Sequence, residues 1–126
     1  MRYNNYHKHD HVSNIFSPDT NTKAEEYILK SLEYGHTNYF TTNHGSFGDI
    51  FEARTLCNKY GLRCIAGIEG YIVPDASEKD KRNYHIIVIP KTDEARKKMN
   101  YVSSMANIKG FYYKPRIDRN TLKKYS

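Results

Sequence analysis

The chain has 126 residues, 38% of them hydrophobic, 13% aromatic and 27% charged, with a mean hydropathy of −0.83. That allows one modest domain with a small core and excludes both a disordered and a membrane-spanning chain. The net charge of +6 joins two unlike parts: residues 1–78 carry 7 Lys+Arg against 10 Asp+Glu, and residues 79–126 carry 13 against 4.

A basic C-terminal part is compatible with a nucleic-acid partner, with a solvated helix face as the plain alternative. No apolar run approaches the ~18–20 residues of a membrane helix. Residues 1–6 lack the apolar stretch of a signal peptide, so a cytoplasmic location is expected. Cys57 and Cys64 do not form a disulfide framework and read as buried free thiols, with a redox or ligand role as the alternative.

Strand and helix patterns alternate along the chain, which favours an α/β fold with parallel strands. The first strand is expected over residues 2–9, followed by a polar loop through Ser17-Pro18-Asp19. Thr22, with Glu25 three residues on, reads as the capping box of a first helix. Ala24, Ile28 and Leu32, helped by Leu29, form its apolar face, and Gly35 ends it.

The second strand is expected over residues 38–42. A second helix begins between Ser46 and Asp49, buries Ile50, Ala53, Cys57 and Tyr60, and closes at Gly61. The third strand spans residues 63–73, where Cys64 to Ile68 is almost continuously apolar, as in a strand buried on both faces. A charged loop over 75–82 leads to a fourth strand at 84–89, stopped by Pro90. Thr92 or Asp93 caps a third helix that turns Ala95, Met99, Val102 and Ala106 inward and ends at Gly110. Residues 111–117 are extended, and Asp118 caps a last short helix. Four strands suit either part of a βα barrel or an open doubly wound sheet.

The histidines cluster. His7, His9 and His11 alternate at the end of the first strand, so an extended chain places all three on one face. His44 follows the second strand, Glu69 lies in the third and His85 opens the fourth, with Asp10 and Asp19 flanking the first group. Functional groups of parallel βα folds collect at the C-terminal strand ends. His7, His9 and His44 obey that rule directly; Glu69 and His85 do so only if the strand limits shift. Imidazole with carboxylate suits Zn²⁺, Mn²⁺ or Fe²⁺, whereas Mg²⁺ alone prefers oxygen ligands. Surface histidines in loops, with Glu69 paired to a basic residue, are the alternative.

These residues resemble the motifs of PHP (polymerase and histidinol phosphatase) domains. His7-Lys8-His9 is similar to their His-x-His, Thr42-Asn43-His44-Gly45 to Thr-Asp-His-Gly, Gly67-Ile68-Glu69-Gly70-Tyr71 to Gly-x-Glu-x-Tyr, and Tyr84-His85-Ile86-Ile87-Val88 to their Tyr-His strand. Gly110-Phe111-Tyr112-Tyr113-Lys114-Pro115-Arg116-Ile117-Asp118 resembles a stretch of DNA polymerase III alpha subunits, not of histidinol phosphatases. The resemblance implies the N-terminal half of a distorted seven-stranded (β/α)7 barrel, residues 1–126 being a partial PHP domain with about four parallel strands.

It also implies up to three divalent metals on His7, His9, Asp19, His44, Glu69 and His85, with Asn43, Asp10 and His11 behind them. Lys114 and Arg116 are the expected contacts to nucleic acid or a partner. The implied parent is a DNA-directed DNA polymerase with a 3′–5′ exonuclease or phosphoesterase site, whose partners are DNA, the remaining polymerase domains and replisome subunits. The alternatives are a free-standing PHP phosphoesterase and a non-catalytic basic interaction module.

Two departures from the family stand out. Asn43 replaces an Asp, which would remove anionic support behind His44. A gap-free count from Ser13 puts Phe16 at the position of a family Asp; counting back from the first helix puts Asp19 there, in a loop three residues longer that is similar to those of phage-encoded members. The palm-domain carboxylates and the family's later metal ligands are not among these residues. The 126 residues alone are therefore expected to show no polymerase and little exonuclease activity, to bind metal weakly, and to leave a sheet edge exposed.

Overall fold

Two short parallel strands, β1 (Asn38–Thr41) and β2 (Arg63–Ala66), form one sheet in the computed structural model, which describes residues 3–126. A second, mixed sheet has the order β4-β3-β6-β5, from β3 (Ile68–Val73), β4 (Tyr84–Val88), β5 (Phe111–Tyr112) and β6 (Lys114–Asp118). β3 runs parallel to β6 but antiparallel to β4, and β5 is antiparallel to β6. The expectation of parallel strands throughout is thus corrected to a mixed α/β architecture. Among the described residues the two sheets do not close into a barrel.

The single strand expected over 63–73 is broken at Gly67. The offset of 25 residues between partners is nevertheless the same at Asn38–Arg63, Thr41–Ala66 and the isolated bridge His44–Glu69. One parallel register therefore runs through both sheets, and the break is local. A side chain at residue 67 would stand 3.0 Å from the Thr41 carbonyl oxygen, so the close approach favours glycine.

The first expected strand does not form. Arg2 lies outside the described residues, and residues 3–10 make no ladder. Side chains replace the missing backbone partners. The Lys8 N–H donates to Thr42 Oγ1 and the Thr42 hydroxyl donates back to the Lys8 carbonyl, both at 2.9 Å, while the Asp10 N–H donates to Asn43 Oδ1 (2.9 Å). Asp10 then caps a 3-10 turn over His11–Ile15 by accepting from the Val12 N–H.

Among the described residues the α-helices are α1 (Ala24–Glu33), α2 (Ile50–Tyr60), α3 (Asp93–Ile108) and α4 (Arg119–Tyr125). α1 starts one residue later than the Thr22 capping box predicts: Glu26 reaches back to the Lys23 N–H (3.1 Å), and Glu25 instead accepts from the Tyr60 hydroxyl (2.7 Å), tying α1 to α2. Ala24 and Ile28 are buried as expected, but Leu29 and Leu32 are exposed. Thr92 caps α3, Asp118 caps α4, and Gly61 closes α2 in the left-handed region.

Two apolar clusters result. Ala24, Ile28, Tyr39, Ala53, Cys57 and Leu62 join α1 and α2 to the first sheet; Ile68, Met99, Val102, Ala106 and Ile117 join α3 to the second. Both cysteines are free, and burial raises both thiols, Cys64 up to about 12, which disfavours the reactive thiolate.

Arg116, expected to contact nucleic acid or a partner, is an internal brace. It is 3% exposed and donates to the carbonyls of Gly110, Glu78, Asp80 and Ala76 at 2.6–3.1 Å. It thereby pins the 75–82 loop and the end of α3 onto β6. Removing it strands several polar groups, each worth about 1–3 kcal/mol. Arg116→Ala is expected to lower the urea midpoint by the equivalent of at least about 3 kcal/mol; Lys114→Ala should cost far less.

Candidate metal centre

The site forms where residues 43–45 cross from the first sheet to β3. The Glu69 N–H donates to the Asn43 carbonyl (3.1 Å), and the Gly45 N–H donates to the Glu69 carbonyl (2.8 Å). Gly45 then turns the chain away at φ 57°, a conformation that favours glycine. With its backbone held on both sides, Glu69 projects a carboxylate that is almost wholly buried.

Four imidazoles surround it. His7 Nε2 and His9 Nε2 lie 2.6 and 2.9 Å from Oε2; His85 Nδ1 contacts Oε1, and His44 Nδ1 lies 3.7 Å from it. Asp19 joins through His44, its Oδ2 lying 2.8 Å from His44 Nε2. The structure thus brings His7, His9, Asp19, His44, Glu69 and His85 together from five separate segments.

Glu69 and His85 arrive by a route the parallel-strand rule does not describe. Glu69 is the second residue of β3, carried into place by the break at Gly67. His85 is the second residue of β4, which runs antiparallel and sets it opposite Tyr71. Phe16, the other candidate for the Asp19 position, packs edge-on to Tyr71. His11 stands apart, because the 3-10 turn ends the alternation and leaves its Nδ1 4.0 Å from Asp10 Oδ1.

Three overlapping groups have ligand atoms within 4.8 Å of one another: His7–His9–Glu69, His9–Asp19–His44 and His44–Glu69–His85. Nitrogen with carboxylate oxygen is the donor set of Zn²⁺, Mn²⁺ or Fe²⁺. His44 shows the fit most directly. Its Nε2 is paired with Asp19, while its Nδ1 is buried without a hydrogen-bond partner beside a Glu69 oxygen. A cation between that nitrogen and that oxygen satisfies both.

The electrostatics favour the ligand forms. Burial, and then the charge of His9, hold His44 below the usual histidine range, against the pull of Glu69 and Asp19. For Glu69, burial pushes upward, but the His7 hydrogen bond and the charges of His44, His85 and His9 outweigh it and hold the carboxyl below its ordinary value.

Tyr71 stacks on His44 (ring centroids 5.6 Å, 12°) and meets His85 edge-on, and burial pushes its hydroxyl up to about 12. Two residues after Glu69 in a strand, it was legible as sharing that face. Lys114 places its Nζ 4.4 Å from the Tyr71 ring centroid, which brings a cation to the rim of the site.

Behind the ligands lies a polar layer. Asn43 Nδ2 donates to Asp10 Oδ1 (2.8 Å), and Asn43 Oδ1 accepts from the Ser13 hydroxyl (2.8 Å). Ser13 also meets His9 Nδ1 at 2.9 Å and the His44 N–H at 3.1 Å. Ser13 carried no signal in the sequence beyond its place in a turn. Deeper still, Lys8 Nζ sits 3.2 Å from the Tyr39 ring centroid. Burial lowers that ammonium to about 8 against the pull of Asp10 and Asp49. Burial and the neighbouring Asp10 raise Asp49 to about 7.

The family model described as the PHP domain matches residues 7–126. The DNA polymerase III subunit alpha of Aquifex aeolicus (strain VF5) is 33% identical over 129 residues, covering 93% of this chain and 11% of the relative. That of Helicobacter pylori (strain ATCC 700392 / 26695) is 31% identical over 130 residues, covering 100% and 11%. That of Chlamydia pneumoniae is 30% identical over 114 residues, covering 86% and 9%. The chain thus spans about a tenth of the length of the curated relatives it matches.

Titration calorimetry with Zn²⁺ and Mn²⁺ at pH 7.5 should show His9→Ala and Glu69→Gln weakening binding by about 10-fold or more, on the scale seen when groups around a metal are removed. His11→Ala should leave it nearly unchanged. Equal affinity in all three variants would remove the cluster from consideration.

The raised carboxyl of Asp49 has its own consequence. Its folded value, about 7, exceeds the ordinary 3.8, so the folded state is penalised as pH rises through that window, with the full cost present above pH 7. Asp49→Asn removes the penalty. Its stability advantage is expected to grow by about 3 kcal/mol between pH 5 and pH 8, at about 1.4 kcal/mol per pH unit below pH 7, read from urea unfolding at the two pH values.

Proposed function

This chain belongs to the PHP domain family, and from that membership and the geometry of the cluster we propose that it is the PHP segment of a DNA-directed DNA polymerase of the DNA polymerase III alpha kind. Residues 1–126 are taken as one partial domain, and the six-residue cluster as a divalent-metal phosphoesterase site that removes nucleotides from a 3′ end. One observation carries the reading: four imidazoles from three segments surround the buried carboxylate of Glu69, and Asp19 joins them through His44. An unliganded structural role would not call for so many metal-ligand atoms facing one another.

A divalent ion held by His7, His9, Asp19, His44, Glu69 and His85 would supply Lewis acidity toward a phosphoryl oxygen and lower the pKa of a bound water. The protein's own part is to orient and to exclude. His7, His9 and His85 hold their nitrogens against Glu69, Asp19 orients His44, and the Tyr71 ring walls the site from behind. Lys114 offers positive charge to a phosphate at the rim. A groove beginning at Phe16 and Gly45 and bordered by Arg54, Arg63, Lys91 and Arg96 supports approach of a polyanion, with Asp93 as the opposing charge. The polymerase relatives make DNA the natural strand, and a cytoplasmic setting follows from the same reading. No helix among the described residues is long and apolar enough to cross a membrane.

The test is removal of a 3′-labelled nucleotide from single-stranded DNA with added Mn²⁺ or Zn²⁺, in the complete polymerase polypeptide. His7→Ala and Glu69→Ala should each lower the rate about 100-fold or more, the loss of about 3 kcal/mol of transition-state stabilisation, while nucleotide addition continues. Undiminished removal in both variants would overturn the phosphoesterase reading.

A further inference from the structure

We infer that Ser13 is a positioning residue that sets which nitrogen of His9 is offered to a metal, by fixing the direction of a buried hydrogen-bond chain running from Asp10 through Asn43 and Ser13 to His9. The inference deepens the metal-site reading and rests on it.

The direction follows from proton accounting. The backbone N–H of Asp10 can only donate, and it faces Asn43 at 2.9 Å, so the atom it meets is the amide oxygen Oδ1. The amide nitrogen of Asn43 then faces Asp10 Oδ1 at 2.8 Å, donor to acceptor, and the amide cannot be reversed without opposing like groups at both ends. Asn43 Oδ1 also lies 2.8 Å from the Ser13 hydroxyl, which must therefore spend its one proton on it. The backbone N–H of His44, again only a donor, takes one lone pair of the same hydroxyl at 3.1 Å.

What remains to Ser13 is acceptance, and His9 Nδ1 lies 2.9 Å away. His9 must carry its proton on Nδ1. Its Nε2 keeps the lone pair: it stands 3.2 Å from His7 Nε2, which can donate to it, and 2.9 Å from Glu69 Oε2, the oxygen a cation would share with it. Ser13 is fully buried, so water does not compete for these bonds. The same hydroxyl ties the two ligand-bearing segments, at His9 and at His44, to one atom.

Asn43 is suited to this task. An amide has one donor end and one acceptor end, so it matches a carboxylate on one side and a hydroxyl on the other. A carboxylate at residue 43 would face Asp10 Oδ1 with no proton to give.

The experiment is two-bond ¹⁵N–¹H correlation spectroscopy on ¹⁵N-histidine-labelled, metal-free protein at pH 8, with His9 assigned by its absence in His9→Ala. Wild-type His9 should be protonated at Nδ1. Ser13→Ala should move it toward the Nε2–H form that free imidazole side chains prefer and weaken Zn²⁺ by about 10- to 100-fold. Ser13→Thr, which keeps the hydroxyl, should restore the wild-type proton position and most of the affinity. A wild-type His9 protonated at Nε2 overturns the inference without reference to any variant, as does Ser13→Ala with the wild-type proton position. If His9→Ala leaves Zn²⁺ affinity unchanged, the metal reading fails and the inference falls with it; if His9→Ala weakens Zn²⁺ while wild-type His9 is protonated at Nε2, only the Ser13 inference falls.

Discussion

Glu69 holds a carboxylate where water scarcely reaches it, and a buried charge is tolerated only when paired and hydrogen-bonded. That constraint organises the centre of the molecule. The strand that carries Glu69 must leave β2 at Gly67 to bring the side chain inward, and residues 43–45 must follow it to hold its backbone. The imidazoles then supply the compensating contacts, from a coil segment, a turn and an antiparallel strand. Such a cluster of titratable groups around one buried anion is costly to maintain as packing alone, which is the physical argument for a cation in its midst.

Support behind the ligands is more specific than the loss of a family carboxylate at residue 43 suggests. A carboxyl group is present, but it is that of Asp10, one step further back, and Asn43 links it to Ser13 by hydrogen bonding. The neutral amide is then the residue that agrees with its neighbour. Below this layer Lys8 and Asp49 each drift toward neutrality near pH 7–8, since burial disfavours both charges. The interior under the site is therefore polar without carrying a large fixed charge.

Basic residues divide by depth. Lys114 leans over Tyr71 at the rim of the cluster, whereas Arg116, two residues away, is turned inward and occupied with carbonyl oxygens. In a strand, residues two apart share a face, yet these two meet different neighbours. What separates them is what waits there: an aromatic ring at the site for one, and the carbonyls of a folded loop for the other. A guanidinium, with five donors in a planar fork, suits the second environment as an ammonium does not.

The sequence by itself determined the local periodicities and their punctuation. The helix beginning at Thr92, the turn out of α2 at Gly61, the cap at Asp118 and the run of residues through Glu69 all depend on neighbours within a few positions. So did the choice of ligand types, because His-x-His and a strand carboxylate name their own chemistry. Tertiary structure alone decided the rest. Residues 3–10 look like a strand, yet their backbone groups are taken by the side chains of Thr42 and Asn43. His85 reaches Glu69 because β4 runs antiparallel, which residue spacing does not encode. Asp19, Ser13 and Arg116 acquire their roles largely from partners 25 to 40 positions away. Such pairings depend on which surfaces the apolar clusters bring together, and a one-dimensional pattern carries that information only weakly.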